Sequence, residues 1–347
     1  MKRNYGNLRG PVWLLLIVSL LTSCTANSKK GVPSGVQPVT ELDPLPSWNN
    51  GTVKSAIIEY VDDVTNEEGE NFIAVPDRIA TFDNDGTLWS EQPIYFQFFF
   101  AIDRIKAMAP AHPEWKSKQP FKALLENDMS ALMKQGEKGI VQIMMTTHVG
   151  MTTSEFETLV TDWIATARHP TKKKLYAELV YQPMLELIRY LEENDFKVFI
   201  VSGGGIEFMR PWVERVYDIP RDQVVGSSVK VKYEYNNGNP VLKRLPEIDL
   251  IDDKDGKPVG IHRYIGRKPV FSAGNSDGDL QMMRWSDANP LKNFQLYVHH
   301  TDSTREWAYD RKSHVGTFNE ALDEANQKGW FLADMATDWK VIYPFEN

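Results

Sequence analysis

Three short apolar segments of this chain each run directly into a group of polar residues. The segments are residues 79–82, 197–201 and 269–273. Short continuous apolar runs that end at turn residues are typical of buried strands in a sheet covered on both faces. Because parallel sheets bind ligands beyond the carboxyl ends of their strands, the polar residues that follow are candidates for one shared site. The pattern predicts an α/β fold with a parallel sheet.

The chain between the first two strands shows mainly helical periodicity. Apolar positions at helical spacing predict helices over residues 121–133 and 154–167. Ser154 and Glu157 have the spacing of a capping box, which marks a helix start. Residues 183–191 predict a further helix, with Pro183 in its first turn, that returns the chain to the core.

These elements predict the domain organisation. We expect a helical cap over residues 92–182, inserted into a catalytic core that is formed by residues 51–91 and 183–347. Residues 229–242 predict a β-hairpin with an Asn-Gly turn. The aromatic C-terminal segment is too apolar to be a free tail, so we expect it to pack against the core.

The first strand runs into the candidate catalytic motif. Asp83 and Asp85 are two residues apart, and Gly86 and Thr87 follow them. Two carboxylates this close disfavour double ionisation unless a cation lies between them. The motif therefore predicts an acidic nucleophile, an acidic proton donor and a divalent metal. An Asx turn on the surface is the structural alternative, because Asp-Gly and Asn-Asp are common turn formers.

The other two strands end in residues of complementary chemistry. Ser202 is followed by three glycines that begin at Gly203, and a hydroxyl beside unhindered backbone N–H groups can hold an anion. The third strand leads into a polar loop that contains Asn275 and Asp279. Three strands that all end in such residues favour a catalytic site over three unrelated turns.

These motifs, in this order, resemble those of the haloacid-dehalogenase-like superfamily, and its phosphatases more than its dehalogenases. The resemblance covers about residues 78–300 and is closest to phosphoserine-phosphatase-like and broad acid phosphatase members, because the long insertion follows the first motif directly. It implies a doubly wound, Rossmann-like core. It also implies that Asp83 attacks phosphorus and that Asp85 protonates the leaving alcohol and then activates water.

The resemblance implies roles for the remaining site residues. Ser202 and Gly203 would bind the phosphoryl oxygens, with Thr87 as a further substrate contact. Glu91 would face the leaving group and hold a substrate ammonium, and a solvated acid on a loop is the alternative for this residue. A lysine is expected before the last motif. We favour Lys257 over Lys268, which we expect to be an ordinary surface residue.

Magnesium is the implied cofactor, held by Asp83, the main-chain carbonyl of Asp85 and Asn275, with Asp279 as a second acid that orients metal-bound water. Family members usually carry Asp where Asn275 stands, so this site loses one negative charge. An amide oxygen still binds hard cations, and Asp277 is an alternative ligand. The same departure also leaves open a degenerate, non-catalytic site.

The N-terminus has the features of an export signal. Lys2, Arg3 and Arg9 precede a short apolar run that ends at Cys24. Residues 21–24, at the end of this stretch, resemble a bacterial lipobox, which predicts a signal peptide over residues 1–23, lipidation of Cys24 and a tether over residues 24–50. An ordinary cleaved signal peptide is the alternative. The lipoprotein interpretation predicts a lipid-anchored protein of the bacterial cell envelope, on the periplasmic side of the outer membrane.

The net charge and the cysteine count limit which partners and which covalent bonds the protein can have. The net charge of −8 and the pI near 5.5 argue against nucleic acid, and the single cysteine excludes an intrachain disulfide. The sequence thus predicts a metal-dependent phosphomonoester hydrolase that acts on a small phosphorylated metabolite. A weakened phosphate-binding surface lipoprotein and a phosphotransferase to an alcohol acceptor remain as alternatives.

Overall fold

The computed structural model describes residues 43–236 and 238–346. The predicted signal peptide, the lipidation site Cys24 and the predicted tether up to residue 42 lie outside these described residues. Within the described part of the chain, no helix is both long enough and apolar enough to cross a bilayer.

Seven strands form one sheet. In chain order they are β1 (Ile79–Phe82), β2 (Lys197–Gly205), β3 (Val224–Asn236), β4 (Asn239–Leu250), β5 (Phe271–Gly274), β6 (Phe294–His299) and β7 (Phe331–Asp334). Their order across the sheet is β4-β3-β2-β1-β5-β6-β7. Every neighbouring pair is parallel except β3 and β4, which form an antiparallel hairpin.

The chain leaves the central strand β1 in both directions, first through β2 and β3 and later through β5 to β7. Such an order confirms the predicted doubly wound α/β fold and makes β1 its topological switch point. The three strands predicted from apolar segments are therefore neighbours. Strands β1 and β5 are buried at every residue, as expected for a sheet with helices on both faces.

Thirteen α-helices surround the sheet in the described residues. They are α1 (Thr52–Thr65), α2 (Phe96–Met108), α3 (Phe121–Leu125), α4 (Met129–Met133), α5 (Gly136–His148), α6 (Thr153–Thr166), α7 (Gln182–Glu193), α8 (Ile206–Met209), α9 (Val213–Tyr217), α10 (Gly256–Tyr264), α11 (Leu280–Asp287), α12 (Glu320–Lys328) and α13 (Met335–Asp338). Helices α2 to α6 all lie between β1 and β2 in the chain.

Two details of the helix predictions were wrong. The single helix expected over residues 121–133 is divided into α3 and α4, because Asn127 has a φ of 54° and Asp128 accepts a hydrogen bond from the Ala131 N–H to cap α4. The capping box at the start of α6 is formed by Thr152 and Glu155 rather than by Ser154 and Glu157. In both helices a side-chain oxygen accepts a hydrogen bond from a free N–H group of the first turn. The spacing of residues in the sequence did not show that Thr152 and Glu155 form the capping box.

The folded body begins earlier than the tether prediction stated. Leu45 and Trp48 are fully buried, and Ser47 hydrogen-bonds the carboxylate of Glu186 through both its N–H and its hydroxyl. Trp48 packs edge-on against Trp339 of the C-terminal segment, with ring centroids 5.8 Å apart. Residues 43–50 thus belong to the folded body through the buried side chains of Leu45, Ser47 and Trp48, which alternate with prolines in an otherwise tether-like stretch.

Candidate active site

The residues after β1 form a tight turn at the carboxyl edge of the sheet. The Asp83 N–H donates to the Ala273 carbonyl at 2.9 Å, which extends the pairing of β1 with β5. The carbonyl of Asn84 accepts from the N–H groups of Thr87 and Leu88. Gly86 has a φ of 76°, and a Cβ there would lie 2.0 Å from the Asn275 amide nitrogen, so only glycine fits this position.

Lys257 joins the first motif to the last one. It lies in the first turn of α10 and is almost fully buried. Its Nζ lies 2.6 Å from Asp83 Oδ1 and 2.7 Å from Asp279 Oδ1, and it donates to the Val201 carbonyl. Burial on its own lowers the pKa of Lys257, but the two carboxylates outweigh it and raise that pKa above its usual value.

The other candidate lysine lies elsewhere. The Lys268 ammonium donates to the Ala288 carbonyl and lies over the Trp285 ring. It has no contact with the residues of the first motif. Of the two lysines, the structure brings only Lys257 to Asp83.

The two acids of the first motif have different surroundings. Burial raises the pKa of Asp83 well above its usual value, and the charge of Asp279 adds to this, while Lys257 opposes it. Asp85 accepts a hydrogen bond from the Trp89 indole N–H at 2.8 Å. Burial raises the pKa of Asp85 to about 6, with Trp89 and Lys257 opposing the rise. A carboxyl that titrates near neutral pH suits general acid and base catalysis.

Ser202 is the last buried residue of β2, and Gly203 follows it in the same strand, which lies beside β1. The Ser202 Oγ is fully buried and accepts from the Gly204 N–H at 3.1 Å. The Gly205 N–H donates to the Gln97 side chain of α2 at 2.7 Å. Helix α2, which follows the first motif, is thereby hydrogen-bonded to the second motif, the glycines after Ser202.

The last motif is a network of hydrogen bonds around Asn275. The Asn275 amide group donates to Glu91 Oε1 at 2.7 Å, and its oxygen accepts from the Thr87 hydroxyl at 3.2 Å. Asp279 Oδ2 accepts from the N–H groups of Asn275 and Ser276. With its other oxygen near Lys257, Asp279 positions the loop and the lysine.

Two of the predicted roles need correction. Thr87 is fully buried and holds the Asn275 side chain, so it does not reach the cavity to contact substrate. Asp277, the alternative metal ligand, accepts from the N–H groups of Asn319 and Ala321 at the start of α12. Its carboxylate is therefore used to cap a helix.

Glu91 is a buried acid that lines the cavity. Its Oε1 accepts from both Asn275 and the Tyr309 hydroxyl. Burial is the main reason that the pKa of Glu91 lies well above its usual value, although the Tyr309 hydrogen bond opposes the rise. Tyr309 was not predicted as part of the site, because it lies far from Glu91 in the chain and no sequence motif connects the two residues. The contact of Glu91 with a substrate ammonium stays a prediction.

A cavity of about 350 Å³ opens above these residues. Its charged floor consists of Asp83, Asp85, Ser202, Lys257 and Asp279. Its apolar wall consists of Tyr95, Phe98, Ile140, Met144 and Ile251. The wall was not predicted from the sequence. Apolar periodicity shows which face of a helix is apolar, but it does not show which of these residues lie in the core and which line a cavity.

The chemistry of the floor fits a divalent cation. Asp83 and Asp279 contact the Lys257 ammonium, and the carboxylates of Asp85, Glu91 and Asp253 line the same cavity. Hard cations prefer such oxygen ligands. Among the described residues, however, no group of three or more His, Cys, Asp or Glu side chains forms a ready ligand set. Asp279 already contacts Lys257 and two N–H groups, and the Asn275 side chain is held by Thr87 and Glu91. Of the four predicted ligands, Asp83 and Asp85 line the cavity without such a set of partners, and binding of magnesium at this site stays a prediction.

Comparison with known proteins now identifies the family. The model of the haloacid dehalogenase-like hydrolases matches residues 80–284, more than half of the 347 residues. The chain therefore belongs to this hydrolase family. A comparison with curated proteins gives no match.

Three solved structures illustrate proteins with a similar fold. A conserved protein of unknown function from Anaerococcus prevotii DSM 20548 shares 15% identity, with 83% of this chain and 94% of that chain covered and a TM-score of 0.49. A phosphoserine phosphohydrolase-like protein from Francisella tularensis subsp. tularensis SCHU S4 shares 14% identity over 72% and 99%, with a TM-score of 0.36. A substrate-bound phosphoserine phosphatase shares 15% identity over 73% and 98%, with a TM-score of 0.34.

Proposed function

We propose that this hydrolase is a magnesium-dependent phosphomonoester hydrolase that works through a phosphorylated Asp83. The observation that carries the proposal is the pairing of a buried lysine with Asp83, beside a second acid whose pKa is raised to about 6. The first group can act as a nucleophile and the second as a proton donor. A hydrolase that cleaved a bond without an oxyanion leaving group would not need the second acid.

In the first step, the Asp83 carboxylate attacks phosphorus and forms an acyl phosphate, while the bond from phosphorus to the ester oxygen breaks. Asp85, in its protonated form, gives its proton to that oxygen, so that the leaving group departs as a neutral alcohol. Lys257 and the Ser202 hydroxyl stabilise the negative charge of the phosphoryl oxygens.

In the second step, Asp85 takes a proton from water, which attacks the same phosphorus atom. The bond between Asp83 and phosphorus breaks, inorganic phosphate leaves, and both acids return to their starting states. Asp83, the main-chain carbonyl of Asp85 and the Asn275 oxygen would hold magnesium, which would supply positive charge that keeps the nucleophile ionised beside a phosphate dianion.

Two further parts of the proposal extend the sequence predictions. The substrate is a small phosphorylated metabolite, since the cavity has room for a single small molecule. The protein is attached to the bacterial cell envelope through a lipid on Cys24, and nucleic acid is not its partner.

The test is the release of phosphate from p-nitrophenyl phosphate and from ethyl phosphate, with and without magnesium. Asp83→Asn lowers turnover of both esters by at least about 10³-fold. Asp85→Asn lowers turnover of ethyl phosphate by about 10²–10⁴-fold but that of p-nitrophenyl phosphate less, because p-nitrophenolate leaves without a proton. Asp249→Asn, on an exposed acid paired with Arg263, is the control and keeps full activity.

Equal rates in the unmodified protein, Asp83→Asn and Asp85→Asn contradict the mechanism. Binding of phosphate without turnover points instead to the alternative of a weakened, phosphate-binding lipoprotein, for which Asn275 is the motivating residue. Transfer of phosphate to an added alcohol, seen as a new ester among the products, identifies a phosphotransferase.

A further inference from the structure

A second cavity of about 190 Å³ adjoins the catalytic one. We call it the side cavity; it lies between α5, α8 and the β3–β4 hairpin. Five lining residues are common to the two cavities: Gln97, Ile140, Met144, Gly203 and Ile251. The side cavity is therefore a lateral extension of the space above the charged floor.

The hairpin builds the side cavity by pairing with the chain between α5 and α6. The Arg244 N–H of β4 donates to the Met151 carbonyl at 2.9 Å, and the Gly150 N–H donates to the Arg244 carbonyl at 3.0 Å. These main-chain bonds hold Val229 and Ile248 of the hairpin opposite Met144 and Met145 of α5, across the cavity. The side cavity is thus a fixed feature of the fold.

The polar groups that line the side cavity are largely occupied by each other. Arg244 forms an ion pair with Glu207, lies 4.1 Å from the Phe156 ring centroid and donates to the His148 carbonyl. The His148 ring contacts the side chains of Gln97 and Thr147. Burial, together with the charge of Arg244, lowers the pKa of His148 to about 3, so this ring is neutral at physiological pH. The side cavity therefore carries no net charge.

The remaining surface of the side cavity is apolar and partly open to solvent. Ile140, Ile248 and Ile251 are 41%, 44% and 57% exposed. Adjacent exposed apolar side chains around a cavity mark a ligand-binding surface. Among the described residues that line the main cavity, Lys257 is the only cation, and it is already paired with two carboxylates. A second phosphate on the substrate would find no partner there.

We propose that the side cavity binds an apolar part of the leaving group, so that the preferred substrates are monophosphate esters of apolar alcohols. This inference rests on the proposed phosphatase function and names its substrate class. The phosphate would lie on the charged floor, while an alkyl or aromatic group would pass Ile140 and Met144 into the side cavity.

The first test compares ethyl phosphate with hexyl phosphate, whose leaving alcohols have similar intrinsic reactivity. We expect kcat/KM to be at least about tenfold higher for hexyl phosphate, because each buried methylene adds to binding of the transition state. Equal values, or a preference for ethyl phosphate, would overturn the inference and leave the phosphatase function intact.

A matched pair of variants locates the effect. Ile248→Asp puts a charge into the side cavity without touching the charged floor, whereas Leu242→Asp changes an equally exposed residue of β4 that lines neither cavity; the two side chains are 44% and 43% exposed. We expect Ile248→Asp to lose the preference for hexyl phosphate over ethyl phosphate, and Leu242→Asp to keep it. A preference that survives in Ile248→Asp would overturn the inference.

Binding of the non-hydrolysable ethylphosphonate and hexylphosphonate, measured by calorimetry, separates the side cavity from the chemistry. Tighter binding of hexylphosphonate by about tenfold or more, lost in Ile248→Asp, supports the side cavity even if neither ester is hydrolysed. In that case the phosphatase function fails alone. Absence of turnover combined with equal binding of the two phosphonates overturns both proposals.

Discussion

The charged floor and the apolar wall of the same cavity are built in different ways. The floor consists of Asp83 and Asp85 after β1, Ser202 near the end of β2, Asp279 five residues beyond β5 and Lys257 in the first turn of α10, and all of them have polar neighbours. The wall comes from α2, α5 and the end of the hairpin, and several of its side chains are partly exposed. The difference indicates that the chemistry depends on fixed strand ends, whereas substrate choice depends on how separate elements pack.

The largest effect that separates the two regions is expected for the lysine of the floor. Lys257→Met leaves two buried carboxylates without their ammonium, so it should lower the free energy of unfolding by about 3–5 kcal/mol and turnover by about 10²–10³-fold. Chemical denaturation and steady-state kinetics measure the two effects. Lys268→Met is the control and should cost less than about 1 kcal/mol, since its ammonium only lies over Trp285. Similar losses in both variants would contradict the assignment of Lys257.

The floor should also make stability depend on pH. The pKa of Asp85 is raised from 3.8 to about 6 in the folded protein, so the folded state binds more protons than the unfolded state between these values. The free energy of unfolding in the absence of divalent cations should therefore fall as pH rises from about 4 to about 6, with Asp85 contributing at most about 3 kcal/mol. Denaturation of Asp85→Asn should show a smaller fall. An identical pH dependence in both proteins would rule out this role of Asp85.

The smallest effect is expected in the wall. Ile143 and Ile140 both lie on α5, but Ile143 is fully buried and Ile140 is 41% exposed. Ile143→Val should cost about 0.5–1.5 kcal/mol through a lost core contact, whereas Ile140→Val should stay within about 0.5 kcal/mol. Thermal unfolding checks this order. A larger loss for Ile140→Val would show that the wall is part of the stabilising core.

The sequence predicted the fold class and the region of the site because the relevant signals are local. Each of the three apolar segments carries its own polar end, and the sheet order makes the three strands neighbours. The sequence did not predict the position of Thr87 or the helix-capping role of Asp277, because both depend on partners far away in the chain, Asn275 and α12. The break at Asn127 and the early start of the core at Leu45 likewise depend on a backbone angle and on tertiary burial.

The side cavity was beyond prediction for the same reason. The sequence predicted the β3–β4 hairpin, but its pairing with Gly150 and Met151 is a tertiary contact between segments about a hundred residues apart. Apolar periodicity identified the apolar faces of the helices, but it did not show which elements face each other across a cavity. Specificity is therefore the part of this enzyme that required the structure.

Mass spectrometry of protein quenched in acid during turnover of p-nitrophenyl phosphate tests the central claim most directly. We expect the peptide that contains Asp83 to gain the mass of one PO₃H group, the modification to disappear on treatment with hydroxylamine, and Asp83→Asn never to acquire it. Turnover at an undiminished rate in Asp83→Asn, or a phosphoryl group found on another residue, would contradict it.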